Sequence, residues 1–144
     1  MKSQITRAAE LETLGKFRDF TDEFCLIAGV ADDACHDLKL SVDEASTNVI
    51  THGYAGMNPG SLMLVLDYGP DRVTVEITDF GHPFEPAEPE APDPEATLDD
   101  PTRGGLGLYL IYQSMDEILY KSGEEGNILT FIKRLDSSGG TAEA

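Results

Sequence analysis

The chain has 144 residues, the length of one domain, and a fold of that size buries roughly 68–70% of its unfolded surface, enough for one hydrophobic core. Its 27 acidic against 10 basic residues leave a formal charge of −17, which repels phosphate backbones and argues against direct nucleic-acid binding. No run approaches the roughly 18 apolar residues of a membrane span, and Met1 to Glu10 lacks the apolar stretch of a secretory signal, so a soluble, cytoplasmic protein is expected.

In chain order, Gln4 to Thr6 carries a weak signal for a short edge strand. From Ala8 to about Ala28, Leu11, Leu14, Phe17, Phe20, Phe24 and Ala28 recur at three- and four-residue steps among charged residues, which predicts an amphipathic helix ended by Gly29. Asp32 or Asp33 can cap a second helix to about His52, with Leu38, Val42, Ala45 and Val49 as its apolar stripe. Gly53 and the Gly56 to Gly60 segment stop it. Ser61 to Tyr68 and Arg72 to Phe80 read as strands joined by Gly69-Pro70-Asp71. A glycine cluster at Gly104, Gly105 and Gly107 opens a third helix to about Met115. Asp116 to Lys121 and Asn127 to Leu135 then form a second hairpin around Gly123 to Gly126. The order of helices and strands favours a two-layer α+β fold: one mixed, mostly antiparallel sheet with the helices on one face. Residues 1–136 form the expected domain, and the small, polar stretch 137–144 is expected to be a disordered tail.

The acidity is concentrated. Glu85, Glu88, Glu90, Asp93, Glu95, Asp99 and Asp100 fall between Phe84 and Pro101 with no Lys or Arg among them, and six of the eight prolines lie in or beside that stretch. Proline at that density excludes a regular helix or central strand, and a loop longer than about 12–15 residues in a compact domain is usually functional or disordered. Cys25 and Cys35, with His36, His52 and His82, show no metal-ligand spacing, so both thiols are expected to be reduced.

Three places carry chemistry. Glu44 and Asn48 are four apart on the second helix and flank its apolar stripe, where a carboxylate and a carboxamide could serve as general base and Mg²⁺ ligand, or simply as a solvated helix face. Val73, Val75 and Ile77 alternate with polar residues, and the same period carries Asp79 onto the apolar face at the strand's end. A carboxylate there needs a donor, either a ligand or the amides of a local turn, and Gly81 allows close approach of backbone. Arg103-Gly104-Gly105-Leu106-Gly107-Leu108 opens a helix, whose unpaired N–H groups and dipole suit an anion, with Arg103 adding positive charge. The order fits neither a P-loop nor a dinucleotide-binding fingerprint.

Together these segments carry a resemblance. Glu44-Ala-Ser-Thr-Asn48-Val-Ile-Thr-His52-Gly53-Tyr54 is similar to the N-box of the GHKL ATPases, Asp79-Phe-Gly81 to their first glycine box, and Arg103 to Leu108 to their second. Order and separation agree over residues 5 to 135, and the Asn-x-x-x-His-Gly-Tyr ending most resembles the bacterial anti-sigma factor serine kinases. The resemblance implies ATP and Mg²⁺ as cofactors. Asn48 would hold Mg²⁺, Asp79 would accept from the adenine amino group with Gly81 passing close to the base, and residues 103–108 would meet the phosphates. Glu44 would be the catalytic base, residues 82–103 the ATP lid, and Arg18 a partner contact or an ordinary surface charge. The implied partners are a STAS-domain anti-anti-sigma factor, whose serine is phosphorylated, and a sigma factor that is sequestered; homodimers also occur in that branch. A nucleotide-dependent interaction module without phosphotransfer is the alternative. The detached catalytic half of a histidine kinase fits less well, because no helix with a phospho-accepting His precedes the domain. Two features depart from the family pattern: Asn127 and Ile128 follow Gly126 where threonines are common, which implies a differently wired adenine site, and the lid is unusually acidic and rich in proline.

Overall fold

Strand alternation sets the centre of the molecule. The computed structural model describes residues 1–83, 111 and 113–142. Within them the elements run β1 (Lys2–Ala8), α1 (Glu12–Ala28), α2 (Asp32–Asn48), a π-helical turn (Val49–Gly53), β2 (Ser61–Gly69), β3 (Arg72–Asp79), β4 (Glu117–Gly123) and β5 (Gly126–Arg134). The strands form one sheet in the order β1-β2-β3-β5-β4, and every ladder is antiparallel, where the sequence suggested a mixed sheet. β5, not β4, pairs with β3, and the β4–β5 hairpin lays β4 on the outside.

Cross-strand rows define two faces. Leu64, Ile77 and Leu129 stand opposite one another in one row and Leu66, Val75 and Phe131 in another; all are buried with Phe17 and Phe24 of α1 and Leu38, Val42 and Ala45 of α2. The intervening row of Glu76, Thr130 and Leu119 lies on the other side, where Leu119 is 60% exposed. Among the described residues one sheet face therefore meets helices and the other is more exposed, with Val65 and Thr78 on it buried, a two-layer α+β architecture.

Several boundaries differ from expectation for physical reasons. β1 is seven residues long because β2 offers a full set of partners, from Lys2 opposite Asp67 to Ala8 opposite Ser61, and such pairing overrides a weak local signal. α1 begins at Glu12, since Ala8 is still in the strand and its carbonyl accepts from the Thr13 hydroxyl at 2.6 Å. The buried stripe of α1 is Thr13, Phe17, Thr21, Phe24 and Cys25, while Leu11 is exposed. Thr21 tolerates burial because its hydroxyl donates to the Phe17 carbonyl at 2.8 Å. Neither Asp32 nor Asp33 caps α2; the N-cap is Ala31 and both acids lie in the first turn, where the helix dipole favours them.

α2 does not continue as an α-helix to His52. The hydroxyls of Thr47 and Thr51 donate to the carbonyls four residues back, each at 2.7 Å, and this competition bends helices. The last turn widens, with the Tyr54 N–H reaching the Val49 carbonyl five residues back at 3.3 Å.

Residues 137–142 are not a free tail. The Gly139 carbonyl accepts from Ala31 N–H at 2.9 Å, Asp33 accepts from Thr141 N–H at 3.2 Å, and Leu135 bridges to Thr141. The Asp136 carboxylate organises this return, taking the Ser138 hydroxyl and the N–H groups of Ser138 and Gly140, and these bonds hold its pKa below the ordinary aspartate value. The segment satisfies one donor at the start of α2, the N–H of the N-cap Ala31, which a small polar sequence does not advertise. Of the expected third helix, Ile111, Gln113 and Ser114 are described and helical, with Ile111 fully buried.

Deleting residues 137–144 should therefore lower stability by about 1–3 kcal/mol, the cost of leaving the Ala31 N–H at the N-cap of α2 unpaired. Thermal unfolding of the truncated protein checks it, and an unchanged Tm would return those residues to the status of a disordered tail.

Candidate functional site

The Asp79 carboxylate is the centre of the site. It is the last residue of β3, stands on the helix-facing side as the period of two predicts, and is 5% exposed. Its Oδ1 accepts from the Gly81 N–H and from Asn127 Nδ2, each at 2.9 Å. Both readings offered for this residue bear on the geometry: a local turn amide does reach it, and so does a side chain from β5. Among the described residues no donor reaches Oδ2.

The π-turn brings the end of α2 against this carboxylate. A Cβ added to Gly53 would sit 3.8 Å from Asp79 Oδ1, and the Gly53 carbonyl accepts from His82 N–H at 2.6 Å. Gly81 is glycine for a reason the sequence did not reveal. A Cβ there would run into the Gly53 carbonyl, so the residue is held by backbone packing between the strand end and the π-turn. Tyr54 closes the arrangement: its hydroxyl donates to the Ser61 carbonyl at 2.8 Å and accepts from Phe80 N–H at 2.9 Å, tying the start of β2 and the end of β3 to the π-turn. Burial raises the Tyr54 pKa, opposed by its bond to Phe80 and reinforced by the nearby Asp79 charge, so the hydroxyl stays protonated.

Glu44 and Asn48 lie half-buried on the rim of α2, with Asn48 the residue immediately before the π-turn. Arg18 on α1 is half-exposed and pairs with Asp43 Oδ1 at 2.7 Å, beside Glu44 in the chain; this bond and the Asp43 charge raise its pKa further. The described residues thus bring together Asp79, Gly81 and the end of the Glu44/Asn48 helix. Arg103, Gly104, Gly105, Leu106, Gly107 and Leu108, and all but the first two residues of the expected lid, lie outside the described residues. Among the described residues no group of three His, Cys, Asp or Glu could hold a metal ion. Cys25 and Cys35 are free and buried, and burial pushes both thiols above their ordinary pKa, consistent with reduced thiols.

This carboxylate-centred strand end, facing a helix that carries Glu44 and Asn48, coincides with a family match. A family model described as the histidine kinase-like ATPase domain matches residues 7–133. The chain belongs to that family. It is also 33% identical over 120 residues to a protein of Bacillus licheniformis named serine-protein kinase RsbW, covering 78% of this chain and 74% of the relative. A protein of the same name from Bacillus velezensis is 33% identical over 118 residues, covering 79% and 74%; one from Staphylococcus aureus strain Newman is 32% identical over 114 residues, covering 74% and 72%. The family's fold accounts for the antiparallel sheet backed by helices. No helix among the described residues is long and apolar enough to cross a membrane.

Two residues of the site were not singled out by sequence for what they do. Asn127 was noticed only as a departure from threonine; its position opposite Asp79 depends on β5 pairing with β3, which local patterns do not specify. Tyr54 was the end of a motif, and its bonds to β2 and β3 are tertiary.

Tyr54→Phe removes one donor and one acceptor and leaves the Ser61 carbonyl and the Phe80 N–H without that partner. A loss of about 1–3 kcal/mol is expected in urea unfolding, with the two-state slope unchanged. A neutral substitution would mean that the hydroxyl does not hold the strand ends together.

Proposed function

We propose that the protein is an ATP-dependent serine kinase that acts on a STAS-domain anti-anti-sigma partner and sequesters a sigma factor. The observation that carries it is the buried Asp79 carboxylate, whose Oδ1 is filled by protein donors, beside the helix that bears Glu44 and Asn48. Three relatives named serine-protein kinase RsbW support the reaction class.

An exocyclic amino group suits an acceptor on an otherwise apolar face, because a carboxylate oxygen left without a donor there is costly. Asp79 would take the adenine amino group in this way. Asn48 offers one hard oxygen, which fits Mg²⁺, an ion that takes few protein ligands and completes its shell with water and phosphate. Bound there, Mg²⁺ would neutralise phosphate charge. Residues 103–108 would supply backbone N–H groups and the Arg103 guanidinium to the phosphates. Glu44 would accept the proton of the attacking serine hydroxyl as its oxygen bonds to the γ-phosphorus and ADP departs; such transfer rests chiefly on positioning and charge stabilisation. Arg18 would contact a partner after exchanging Asp43 for a partner carboxylate.

Calorimetry with ATP in Mg²⁺ tests the site, and Asp79→Asn is expected to weaken binding at least about tenfold, near 1.4 kcal/mol. Glu44→Gln is expected to keep ATP affinity within a few fold while lowering γ-phosphate transfer to a STAS serine by about 10²–10⁴. Saturable ATP binding without transfer by the wild type would replace the kinase with a nucleotide-dependent interaction module. No saturable binding would overturn both.

The charge of −17 suits a partner with basic, nucleic-acid-binding surface. Association with the sigma factor is therefore expected to weaken progressively from about 50 mM to 500 mM salt, as screening shortens the reach of surface charge. Affinity independent of salt would remove electrostatics from partner recognition.

A further inference from the structure

Asp79, Asn127 and Ser122 are direct neighbours in one cross-strand row at the end of the sheet, on β3, β5 and β4. Asn127 is 5% exposed, and each of its polar atoms is engaged. Nδ2 donates to Asp79 Oδ1 and to the Gly81 carbonyl, both at 2.9 Å, which uses its two hydrogens. Oδ1 accepts from the Ser122 hydroxyl at 2.7 Å. The opposite orientation of the amide would place its oxygen against the Asp79 and Gly81 oxygens, three acceptors with no donor, so chemistry fixes which way it points.

A fixed Asn127 fixes the carboxylate in turn. With Gly81 N–H and Asn127 Nδ2 both on one oxygen, tilting the Asp79 carboxylate away gives up both bonds, one of them fully buried. Oδ2 is left as the acceptor for a ligand. The geometry points to Asn127, held by Ser122, as the positioning residue that sets base selectivity: it holds the Asp79 carboxylate in one orientation, with Oδ2 turned to a ligand as an acceptor. Such a site takes a purine with an amino group at position 6 and rejects one with a carbonyl there, because two acceptors would face each other without a hydrogen. Rejection of this kind is strong where the site's polar groups have no alternative partner. The inference rests on the assignment of Asp79 to the adenine amino group.

Asn127→Asp reverses the logic with almost no change of shape. Two carboxylates at hydrogen-bond distance cannot both ionise readily, so the pair holds a proton, more fully as pH falls. When that proton sits on Asp79 Oδ2 and not between the two carboxylates, it can donate to a carbonyl at position 6, and discrimination against that group falls.

The test is calorimetric affinity for ATP and for inosine triphosphate, which carries the 6-carbonyl, from pH 6 to 8, with thermal unfolding of each variant alongside. Wild type is expected to prefer ATP by at least about tenfold with little pH dependence. Asn127→Asp is expected to bring the two affinities within about threefold of each other at pH 6, with the ATP preference partly recovering at pH 8. Ser122→Ala leaves the Asn127 donors in place but loosens the amide; it should stay folded and lose part of the preference. Folded Asn127→Asp and Ser122→Ala proteins that keep the wild-type ratio at every pH would overturn the role of Asn127 while leaving the adenine site intact. Wild type that binds the two nucleotides equally would overturn the adenine assignment itself, and this inference with it.

Discussion

A carboxylate that is 5% exposed on the helix-facing side of a sheet is the constraint around which this molecule is arranged. An ionised group there has lost most of its water and must be given donors by the protein or by a ligand. β3 alone cannot supply them, since its N–H groups belong to the ladders. The first donor comes from the turn directly after the strand, at Gly81, and that turn is packed so closely on the Gly53 carbonyl of the π-turn that no Cβ would fit there. The second comes from β5, through the register that sets Asn127 opposite Asp79. The same pairing presses Gly126, at φ 97°, so close to the Asp79 carbonyl and the Phe80 ring that a side chain there would collide with both. Polar satisfaction of one side chain thus fixes a helix end, a turn and a strand register together.

The opposite end of the same face has its own buried charge. Lys133 on β5 is 4% exposed and donates to Asp37 of α2 at 2.8 Å and to the Ser114 carbonyl at 2.7 Å. Breaking such a pair from one side costs about 3–5 kcal/mol, because the remaining charge stays buried. Between Asp79 and Lys133 the face is apolar, running through Ile77, Leu129, Val75 and Phe131. The sheet therefore meets the helices through an apolar centre with one charged clamp at each end. The clamps do different work. Lys133 is paired within the chain and holds α2 to the helical segment that ends near Ser114, whereas both donors to Asp79 among the described residues fall on Oδ1.

The difference between what was legible in the sequence and what was not follows the same division between local and tertiary causes. Alternation over Val73 to Ile77 placed Asp79 on the buried side, because strand periodicity is a property of consecutive residues. The turns at Gly69-Pro70-Asp71 and around Gly123 to Gly126 were equally local, and so was the end of the first helix at Gly29. β1 extended well beyond its local signal once β2 supplied partners, and the stretch from Ser137 turned out to return onto α2. Gly81 shows the limit most clearly. It is readable as a place where backbone can come close to a partner of Asp79, while the group packed against it is the Gly53 carbonyl of the same chain, brought there by the π-turn that follows Thr47 and Thr51 bonding back along the helix. Asn127 was readable as an irregular residue at the start of a strand, and its role depended on which strand became its neighbour.

Charge distribution connects this framework to recognition. A protein at −17 can still favour a polyanion at one place if the local field there is made by backbone dipoles and a few fixed cations, and the one carboxylate at the described end of the site is already covered by two N–H donors on one oxygen. The rest of the acidity is free to act outward. Arg18 sits at that boundary, half-exposed and paired with Asp43 one residue before Glu44. An exposed ion pair of this kind contributes at most about 1 kcal/mol, so its cation can be transferred to an incoming carboxylate at little cost to the fold. Under the proposed function, that exchange would free Asp43 next to the base as a partner docks, so the rim of α2 would read the partner and the buried end of β3 would read the nucleotide. The two tasks are separated by exposure: the exchangeable contacts are solvated and salt-sensitive, while those that orient Asp79 are buried and are not.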